Sequence, residues 1–488
     1  MKGQETFSSR WGLIAAGLGM AVGTGNLWRF PRIAAQNGGA AFLIPWMVFL
    51  FTWSLPLLIA EFAIGRGMRR GVVGSFTRLV GPRYAWMGGW VAVVTVMILF
   101  YYSVVTGWTL KYLVASLTGE LRGVEPGEYW SAYVESGWGP VLFHVIAALL
   151  GGFVILQGVV KGIERANKIL IPSLFVLLIV AAVRSVSLPG AERGLEFLFN
   201  PDLSSLAHYR TWLEALSQSA WSTGAGWGLI LTYGMYLRRT DDVVLNSTTI
   251  GFGDHSASLL AGMAVLPAAF AILAPAEAMD AMRAGNVGLM FIWIPQLFAR
   301  MPGGDVFQAI FFLALFCAAL SSLIALIELA TRVLMDAAVP RRPAVALVTG
   351  AVIVFGLPSA LSQSFFANQD WVWGVGLMIS GLFIALAATM YGQARFRTEL
   401  VEGDADDLRV GRYYEWALKY LVPVQFAMMF SWWMYQAASW DPEGWWNPFH
   451  VENVGTCLLQ WGVAMALLLL FNRRMAAASI REEPETQA

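Results

Sequence analysis

The sequence predicts an all-α protein that crosses a membrane about twelve times, with two of its helices broken near mid-membrane. Three observations support this fold class. The 488-residue chain is 57% hydrophobic and only 13% charged, whereas soluble domains carry about 25% charged residues. Its apolar residues fall into runs of roughly 20 to 25, the length that crosses about 30 Å of hydrocarbon. Glycine clusters interrupt two of these runs.

The apolar segments can be followed in order along the chain, with boundaries that are soft by several residues. They lie near residues 11–36, 40–66, 86–116, 141–159, 166–184, 211–237, 244–273, 304–335, 343–361, 371–393, 412–437 and 455–472. No linker divides them, so residues 1–488 are predicted to form one domain. It comprises a first five-helix repeat (11–184), a second (211–393) and two additional helices (412–472). Because five is odd, the second repeat enters from the opposite side and the repeats are inverted.

The two interruptions are the most informative feature of the pattern. Residues 21–26 (AVGTGN) cut the first segment, and residues 224–228 (GAGWG) cut the sixth. An unpaired backbone group inside a bilayer costs several kcal/mol unless protein, water or a ligand satisfies it. A matching pair of glycine-broken segments therefore points to the substrate site of a secondary transporter. Alternatively, these glycines only let helices pack closely.

Charge placement predicts the orientation of the chain. The net charge is zero, so nothing indicates a nucleic-acid partner. Cations concentrate in alternate connections, which the positive-inside rule places in the cytoplasm together with both termini. We therefore expect a multi-pass protein of a bacterial inner (plasma) membrane. These cations are Arg66, Arg69, Arg70, Arg78, Arg83, Lys161, Arg165, Lys168, Arg238, Arg239, Arg341, Arg342, Arg395, Arg397, Arg412, Arg473 and Arg474.

The remaining features set smaller expectations. Met1–Ser9 is short and polar, so the first apolar run reads as a mature span and not as a cleaved signal peptide. The tail 481–488 is predicted to be disordered. Residues 275–304 could form a short outer helical hairpin. Cys317 and Cys457 lie in apolar runs and are predicted to be buried, with neither a disulfide framework nor metal-ligand spacing.

Several stretches strongly resemble the neurotransmitter:sodium symporter family, in its bacterial amino-acid transporter branch with the leucine-transporter fold. They are residues 10–16 (RWGLIAA), 23–31 (GTGNLWRFP), 37–45 (NGGAAFLIP), 56–66 (PLLIAEFAIGR) and 161–165 (KGIER). The resemblance covers essentially the whole chain. It implies sodium-driven import of amino acids or amines.

The resemblance also implies the substrate. In the family, the loop matching residues 23–25 holds the substrate carboxylate at the start of a half-helix, where the dipole favours an anion. Amine transporters carry an aspartate where this chain has Gly23, so we expect an amino acid. No lining residue compensates a charged side chain, which favours neutral L-amino acids; their size stays open. The implied substrate residues are Ala21, Gly23, Thr24, Gly25, Ile98, Tyr102, Trp221, Ser222, Gly224, Trp227, Ser322 and Leu326.

Two sodium sites are implied in the same way, since Na⁺ prefers oxygen ligands. The first would use the Ala21 carbonyl, Asn26, Ser222, Asp254 and the substrate carboxylate. The second would use the Gly19, Val22 and Ala318 carbonyls with Ser321 and Ser322. The two serines could instead bond back to carbonyls of their own helix.

Asp254 indicates that chloride is not required. Many relatives have asparagine there and use chloride or a nearby glutamate, whose place Ser258 takes, to offset the sodium charge. Trp46 replaces a tyrosine that helps to ligate chloride. A fixed carboxylate at Asp254 would supply that charge, and intramembrane acids usually mark ion or proton pathways. The alternative is an acid at a helix end that faces water. His255 is expected to be structural.

Gate residues follow from the resemblance too. Arg29 and Asp370 match the outer ion pair that closes above the substrate, and Asp336 and Tyr236 match the inner gate. The family's N-terminal arginine and tryptophan are absent, since Gln4 and Phe7 stand at those places. Lys2 could substitute for the arginine.

Together these observations predict a sodium-coupled symporter that imports neutral L-amino acids by alternating access. A proton-coupled transporter is the nearest alternative, because Asp254 could titrate. A sensor that binds without translocating is a second, although the serine pair at 321–322 and the inner-gate acids argue against it. An intramembrane enzyme is disfavoured, because no HExxH, GxSxG or paired catalytic aspartates occur in the apolar runs.

Overall fold

Helices account for every regular element in the part of the chain that the structure describes. The computed structural model describes residues 5–403 and 406–480; the predicted disorder of 481–488 lies outside the described residues. In chain order the helices are α1 (Arg10–Ala21), α2 (25–36), α3 (Ala40–Met68), α4 (Val72–Val80), α5 (Pro82–Thr118), α6 (Pro126–Glu135), α7 (Trp138–Leu156), α8 (Val159–Val186), α9 (Glu192–Phe199), α10 (Tyr209–Ser222), α11 (Leu229–Gly234), α12 (Val243–Ile272), α13 (Pro275–Arg283), α14 (Gly285–Ala299), α15 (Gly304–Asp336), α16 (Arg341–Leu361), α17 (Gln363–Tyr391), α18 (393–401), α19 (411–440) and α20 (Val454–Ser479).

The all-α membrane fold is confirmed, but the count of twelve spans is not met in full. Within the described residues, nine helices are long and apolar enough to cross a membrane: α3, α5, α7, α8, α12, α15, α16, α17 and α20. The other three predicted segments are the two broken ones and the segment that forms α19. In the broken segments α1 has 12 residues and α10 has 14, short of the roughly 20 that a span needs.

Both predicted breaks are present. Helix α1 ends at Ala21, and helical structure resumes in a π-helical turn at Gly25. The chain between α10 and α11 runs through three glycines in the left-handed region: Gly224, Gly226 and Gly228, with φ values of 68°, 93° and 76°. Only glycine adopts these angles without strain. The glycine clusters therefore do end the helices, and they do more than permit close packing.

Several helices extend beyond the apolar runs that predicted them. Helix α17 begins at Gln363, eight residues before the predicted start at 371, because Ser362 caps it by accepting a hydrogen bond from the Phe365 amide at 3.2 Å. Helix α8 begins at Val159, not at 166. The hydrophobic pattern marks only the stretch that faces an apolar environment. The outer hairpin predicted at 275–304 is present as α13 and α14, and both cysteines are buried as predicted.

The helices pack around the central pair α5 and α15. Helix α8 lies against α1, α12 and α15, and α3 lies against both halves of the second broken segment, α10 and α11. The two breaks are thereby held side by side near the centre of the bundle. The repeat boundaries 11–184 and 211–393 stay a prediction.

The arginine-containing connections meet at one end of the bundle. Arg66 donates to the Asp241 carbonyl at 2.6 Å and to the Leu400 carbonyl at 2.7 Å. The hydroxyls of Thr77 and Ser479 lie 3.2 Å apart at the same end, so α20 finishes there. We name this end the arginine-rich face; it is formed by residues 66–71, 238–242 and 397–401. The other end is the vestibule face.

Candidate binding site between the broken helices

A cavity of about 730 Å³ connects the two breaks with the vestibule face. The residues at its outer part are polar and include Arg32, Gln36, Arg210 and Asn286. Eleven of the twelve residues predicted to contact substrate line this cavity: Ala21, Gly23, Thr24, Gly25, Tyr102, Trp221, Ser222, Gly224, Trp227, Ser322 and Leu326. The twelfth, Ile98, is fully buried in the core and is not among the lining residues.

The first break presents backbone amides to this cavity. The Gly23 amide donates to Asn26 Oδ1 at 2.9 Å, and the Thr24 amide donates to the Tyr102 hydroxyl at 3.3 Å. A Cβ added to Gly23 would lie 2.9 Å from Ser322 Oγ and 3.1 Å from Tyr102 Oη. Glycine thus keeps open a small polar space at a helix start, where an anion is favoured.

The second break is held by Glu61, to which the sequence analysis gave no role. Its carboxylate is fully buried in α3 and accepts hydrogen bonds from the Gly226 amide at 2.6 Å and the Leu231 amide at 3.2 Å. The backbone groups released by the break therefore have a partner, as a buried loop requires. The signal in the sequence was an acid within an apolar segment, which usually has a function.

The residues predicted for the first sodium ion come together behind the first break. Asn26 Nδ2 donates to Asp254 Oδ1 at 2.6 Å and to Ser258 Oγ at 2.9 Å. Ser222 Oγ donates to Asp254 Oδ2 at 2.9 Å. Asp254 is completely buried, so the alternative of an acid that faces water is wrong.

A histidine and a tryptophan enclose this carboxylate on its other side. His255 Nδ1 lies 3.4 Å from Asp254 Oδ2. The His255 ring stacks on Trp46, with centroids 3.9 Å apart and planes 8° from parallel. The carboxylate therefore contacts neutral donors and one titratable ring, an arrangement that suits an added cation.

The residues predicted for the second ion meet where α15 crosses α1. Ser322 Oγ donates to the Gly19 carbonyl at 3.2 Å and to the Met20 carbonyl at 3.3 Å. Ser321 Oγ instead donates within its own helix, to the Ala318 carbonyl at 3.0 Å. The back-bonding alternative thus describes Ser321 here but not Ser322. Val22, whose carbonyl completes the predicted set, is fully buried and directly follows the last residue of α1.

The outer gate residues lie in the same cavity without forming the expected ion pair. Both Arg29 and Asp370 line it. Arg29 instead faces α10: it donates to Gln218 Oε1 at 3.0 Å and Ser217 Oγ at 2.9 Å, and it lies 3.7 Å from Glu214 Oε2. Positions three and four apart share one helix face, so one turn of α10 supplies all three partners. Sequence reasoning missed Glu214.

The inner gate residues have partners that the resemblance did not supply. The Tyr236 hydroxyl donates to Glu328, which is fully buried and pairs with Arg341 at 2.7 Å. Asp336 lies 3.4 Å from Arg332 and 4.0 Å from Arg70. At the arginine-rich face these acids therefore pair with Arg341 of α16, Arg332 of α15 itself and Arg70 in the connection between α3 and α4.

The chain before α1 completes this closure. The Phe7 ring makes edge contacts with Tyr233 and Tyr236, each at 6.0 Å between centroids, and its amide donates to the Tyr236 carbonyl at 3.2 Å. Phe7 thus packs where the resemblance expects a tryptophan. Gln4 and Lys2 lie outside the described residues, so the substitution of Lys2 for the missing arginine stays a prediction.

Comparisons with known proteins agree with this arrangement. The family model described as "Sodium:neurotransmitter symporter family" matches residues 4–135 and 134–477. The chain is 29% identical over 451 residues to the uncharacterized sodium-dependent transporter YhdH of Bacillus subtilis, covering 87% of this chain and 96% of that protein. It is 32% identical over 348 residues to an uncharacterized sodium-dependent transporter of Methanocaldococcus jannaschii, covering 68% and 70% of the two proteins.

A solved structure is similar in fold as well as in sequence. MhsT in complex with L-phenylalanine superposes with a TM-score of 0.78 at 31% identity, over 88% of this chain and 99% of that one.

Proposed function

We propose that this chain, which belongs to the sodium:neurotransmitter symporter family, imports a neutral L-amino acid together with sodium. The observation that carries the proposal is the buried cluster of Asn26, Ser222 and Asp254 directly behind the cavity. A substrate carboxylate placed at the first break would lie beside a cation in this cluster. Each ligand would then raise the affinity for the other, which is thermodynamic coupling.

The shape of the cavity supports an amino acid as substrate. Its inner part offers the polar space at Gly23 for a carboxylate and an apolar wall that includes Trp221, Trp227 and Leu326. Arg29, Arg32 and Asp370 belong to the outer part of the cavity. Because the apolar wall offers no charge, a neutral side chain is favoured. The L-phenylalanine bound to the similar MhsT supports the same substrate class.

Two sodium ions are proposed as co-substrates. The first would contact the Ala21 carbonyl, Asn26, Ser222, Asp254 and the substrate carboxylate. The second would lie between the Gly19, Val22 and Ala318 carbonyls with Ser321 and Ser322. Both groups supply oxygen atoms, which a hard cation prefers. Sodium entry down a negative-inside potential adds about 2.3 kcal/mol per charge per 100 mV to the driving force.

Chloride independence is proposed from the same cluster. Asp254 supplies a fixed negative charge beside the first ion, and the Trp46 ring stacked on His255 fills the place of the family's chloride-binding tyrosine. A second anion next to this carboxylate would be repelled.

The orientation follows from the positive-inside rule. We assign the arginine-rich face, with both chain ends, to the cytoplasm of a bacterial cell and the vestibule face to the outside. The cavity opens on the vestibule face while aromatic rings and ion pairs close the other end, so the structure corresponds to the outward-facing side of an alternating-access cycle.

Uptake into proteoliposomes tests the proposal. Neutral L-amino acids should enter only with an inward sodium gradient, and sodium should raise the thermal stability of the purified protein in a saturable way. Binding without uptake would indicate a sensor instead. Absence of any sodium effect on binding or uptake would reject sodium symport.

Asp254→Asn tests chloride independence. The variant should lose uptake or require chloride, because the fixed charge beside the first ion is gone. Asp280→Asn, the same change at an exposed position of α13, is the matched control and should behave as wild type. Unchanged chloride-free uptake by Asp254→Asn would contradict the assignment.

Proton coupling is the second candidate, and the closeness of His255 Nδ1 to the Asp254 carboxylate favours it. A proton shared by this pair could neutralise the buried charge without sodium. Sodium-free uptake driven by an inward proton gradient, and lost in His255→Gln, would establish it.

A further inference from the structure

Asn167 of α8 carries a buried oxygen that the two proposed ion sites do not use. The side chain is fully buried. Its Nδ2 donates to the Ile163 carbonyl, one turn earlier, at 2.9 Å. Its Oδ1 is buried and has no hydrogen-bond partner among the residues that the structure describes. Buried polar atoms are nearly always satisfied, so an orphaned acceptor indicates a bound water or ion.

The orientation of this amide is fixed by its neighbour. With the side chain rotated by 180°, Asn167 Oδ1 would face the Ile163 carbonyl oxygen, and two acceptors would repel each other. The oxygen must therefore point away from its own helix, towards α1.

Asn167 Oδ1 packs against Gly19 of α1. A Cβ added to Gly19 would lie 2.0 Å from Asn167 Oδ1 and 3.1 Å from Ser321 Cβ. Any other residue at position 19 would therefore collide with the amide. The carbonyl of Gly19 accepts from Ser322 Oγ at 3.2 Å. The orphaned oxygen thus lies against the residues proposed for the second sodium ion.

We propose that Asn167 supplies a further oxygen to the cation bound between α1 and α15, directly or through one water. This inference rests on the proposed function, since it adds a residue to one of its two ion sites. Amide oxygens are ordinary ligands of hard cations. The consequence is that a bound cation connects three helices, α1, α8 and α15, and not two.

A packing role is the competing explanation. A Cα–H of Gly19 can contact a carbonyl oxygen weakly, and such a contact would stabilise the protein equally with and without sodium. The two explanations therefore differ in sodium dependence and not in stability alone.

Sodium titrations of thermal stability separate them, using the purified full-length protein with potassium replacing sodium at constant ionic strength. Asn167→Leu keeps the volume and removes the oxygen, so the midpoint should move to roughly tenfold higher sodium or beyond, as for loss of a supporting residue in other metal sites. Asn167→Asp keeps an oxygen there and adds charge, so its midpoint should equal or fall below that of wild type.

Ser185→Ala is the matched control. Ser185 lies on the same helix and is buried, and within residues 5–403 and 406–480 its hydroxyl also has no hydrogen-bond partner. It is far along α8 from Asn167. Its removal should leave the sodium midpoint unchanged.

Each outcome has one meaning. A sodium midpoint in Asn167→Leu equal to that of wild type would overturn the inference and leave sodium symport intact. No sodium effect on the wild type would overturn the proposed function itself. If Asn167→Leu does not fold, Asn167→Asp decides, because a midpoint displaced to higher sodium would show that an oxygen at this position does not serve the ion.

Discussion

The two ends of the central pathway differ in how they are closed. At the vestibule face, Arg29 contacts one turn of α10 and does not pair with Asp370. The cavity extends outward between Arg29 and Asp370. At the arginine-rich face, Glu328 and Phe7 are the centres of two sets of buried contacts. These contacts come from the N-terminal segment, α11, α15 and α16. Closing the outer end requires one arginine to change partners, whereas opening the inner end requires several buried contacts to break together.

This difference predicts where substitutions shift the equilibrium between the two forms. Changes at the inner end remove contacts that close the arginine-rich face, so they should favour opening of that face. Changes at the outer end should have smaller effects, because Arg29 keeps its two neutral hydrogen-bond partners, Ser217 and Gln218, when a single other contact is removed.

Arg341→Ala should have the largest effect. It leaves the Glu328 carboxylate fully buried without its cation, and breaking such a pair costs about 3–5 kcal/mol. Hydrogen–deuterium exchange of residues 5–21 should rise and thermal stability should fall. Arg342→Ala, which changes an exposed neighbour, should do neither. Unchanged exchange in Arg341→Ala would show that this pair does not close the inner end.

Phe7→Ala should come next, with a cost of about 3 kcal/mol for a buried ring. It removes the edge contacts with Tyr233 and Tyr236, so uptake should fall while substrate still binds. Phe449→Ala, which truncates a ring that is 89% exposed on the other side of the molecule, provides the comparison. Equal uptake rates in the two variants would contradict a role for Phe7.

Glu214→Gln tests the outer end. Removing this charge should release Arg29 towards Asp370 and favour closure over the substrate by about 1 kcal/mol or less. Substrate should then dissociate up to about fivefold more slowly, as measured by washout from the purified protein. Glu128→Gln, at an exposed position of α6, is the control. Faster dissociation would mean that Glu214 supports closure.

The smallest effect concerns the exposed rim of the vestibule face. A hydrogen bond from Lys111, and to a smaller extent one from Tyr129, holds the pKa of the Glu120 carboxyl below its usual range. A lowered pKa stabilises the fold above the pKa of the unfolded state and loses that contribution as pH falls through the folded value. Glu120→Gln should therefore flatten the acid side of the stability curve by a fraction of 1 kcal/mol, as followed by thermal unfolding between pH 3 and 7, roughly the range in which carboxylates titrate. An unaltered curve would show that these hydrogen bonds contribute nothing.

The sequence predicted the arrangement of helices better than it predicted the hydrogen-bond and ion-pair partners of individual side chains. Glycine clusters within apolar runs suffice to predict both breaks, because backbone physics decides them locally. Resemblance brought Asn26, Ser222 and Asp254 to one place. Glu61 and Glu214 were missed as partners, because their contacts come from helices more than 150 residues away in sequence.

The gate residues also show that the sequence does not predict which side chains are in contact. Resemblance identified Arg29 and Asp370 as a pair but could not say which conformation the chain occupies, and in this structure Arg29 contacts α10 instead. At the inner end, Phe7 and Tyr236 lie in contact, whereas the buried Glu328–Arg341 pair needed coordinates because the two residues belong to different helices.

The contact between Gly226 and Gly381 constrains how this site can diversify. A Cβ at position 226 would lie 2.8 Å from the Gly381 main chain, so two polypeptide backbones touch there with nothing in between. Any side chain at position 226 would displace the second break from α17 and distort the binding cavity. Substrate selectivity can therefore change only through neighbouring residues whose side chains have room to vary. The backbone contact between Gly226 and Gly381 has to be kept while other residues that line the cavity are substituted.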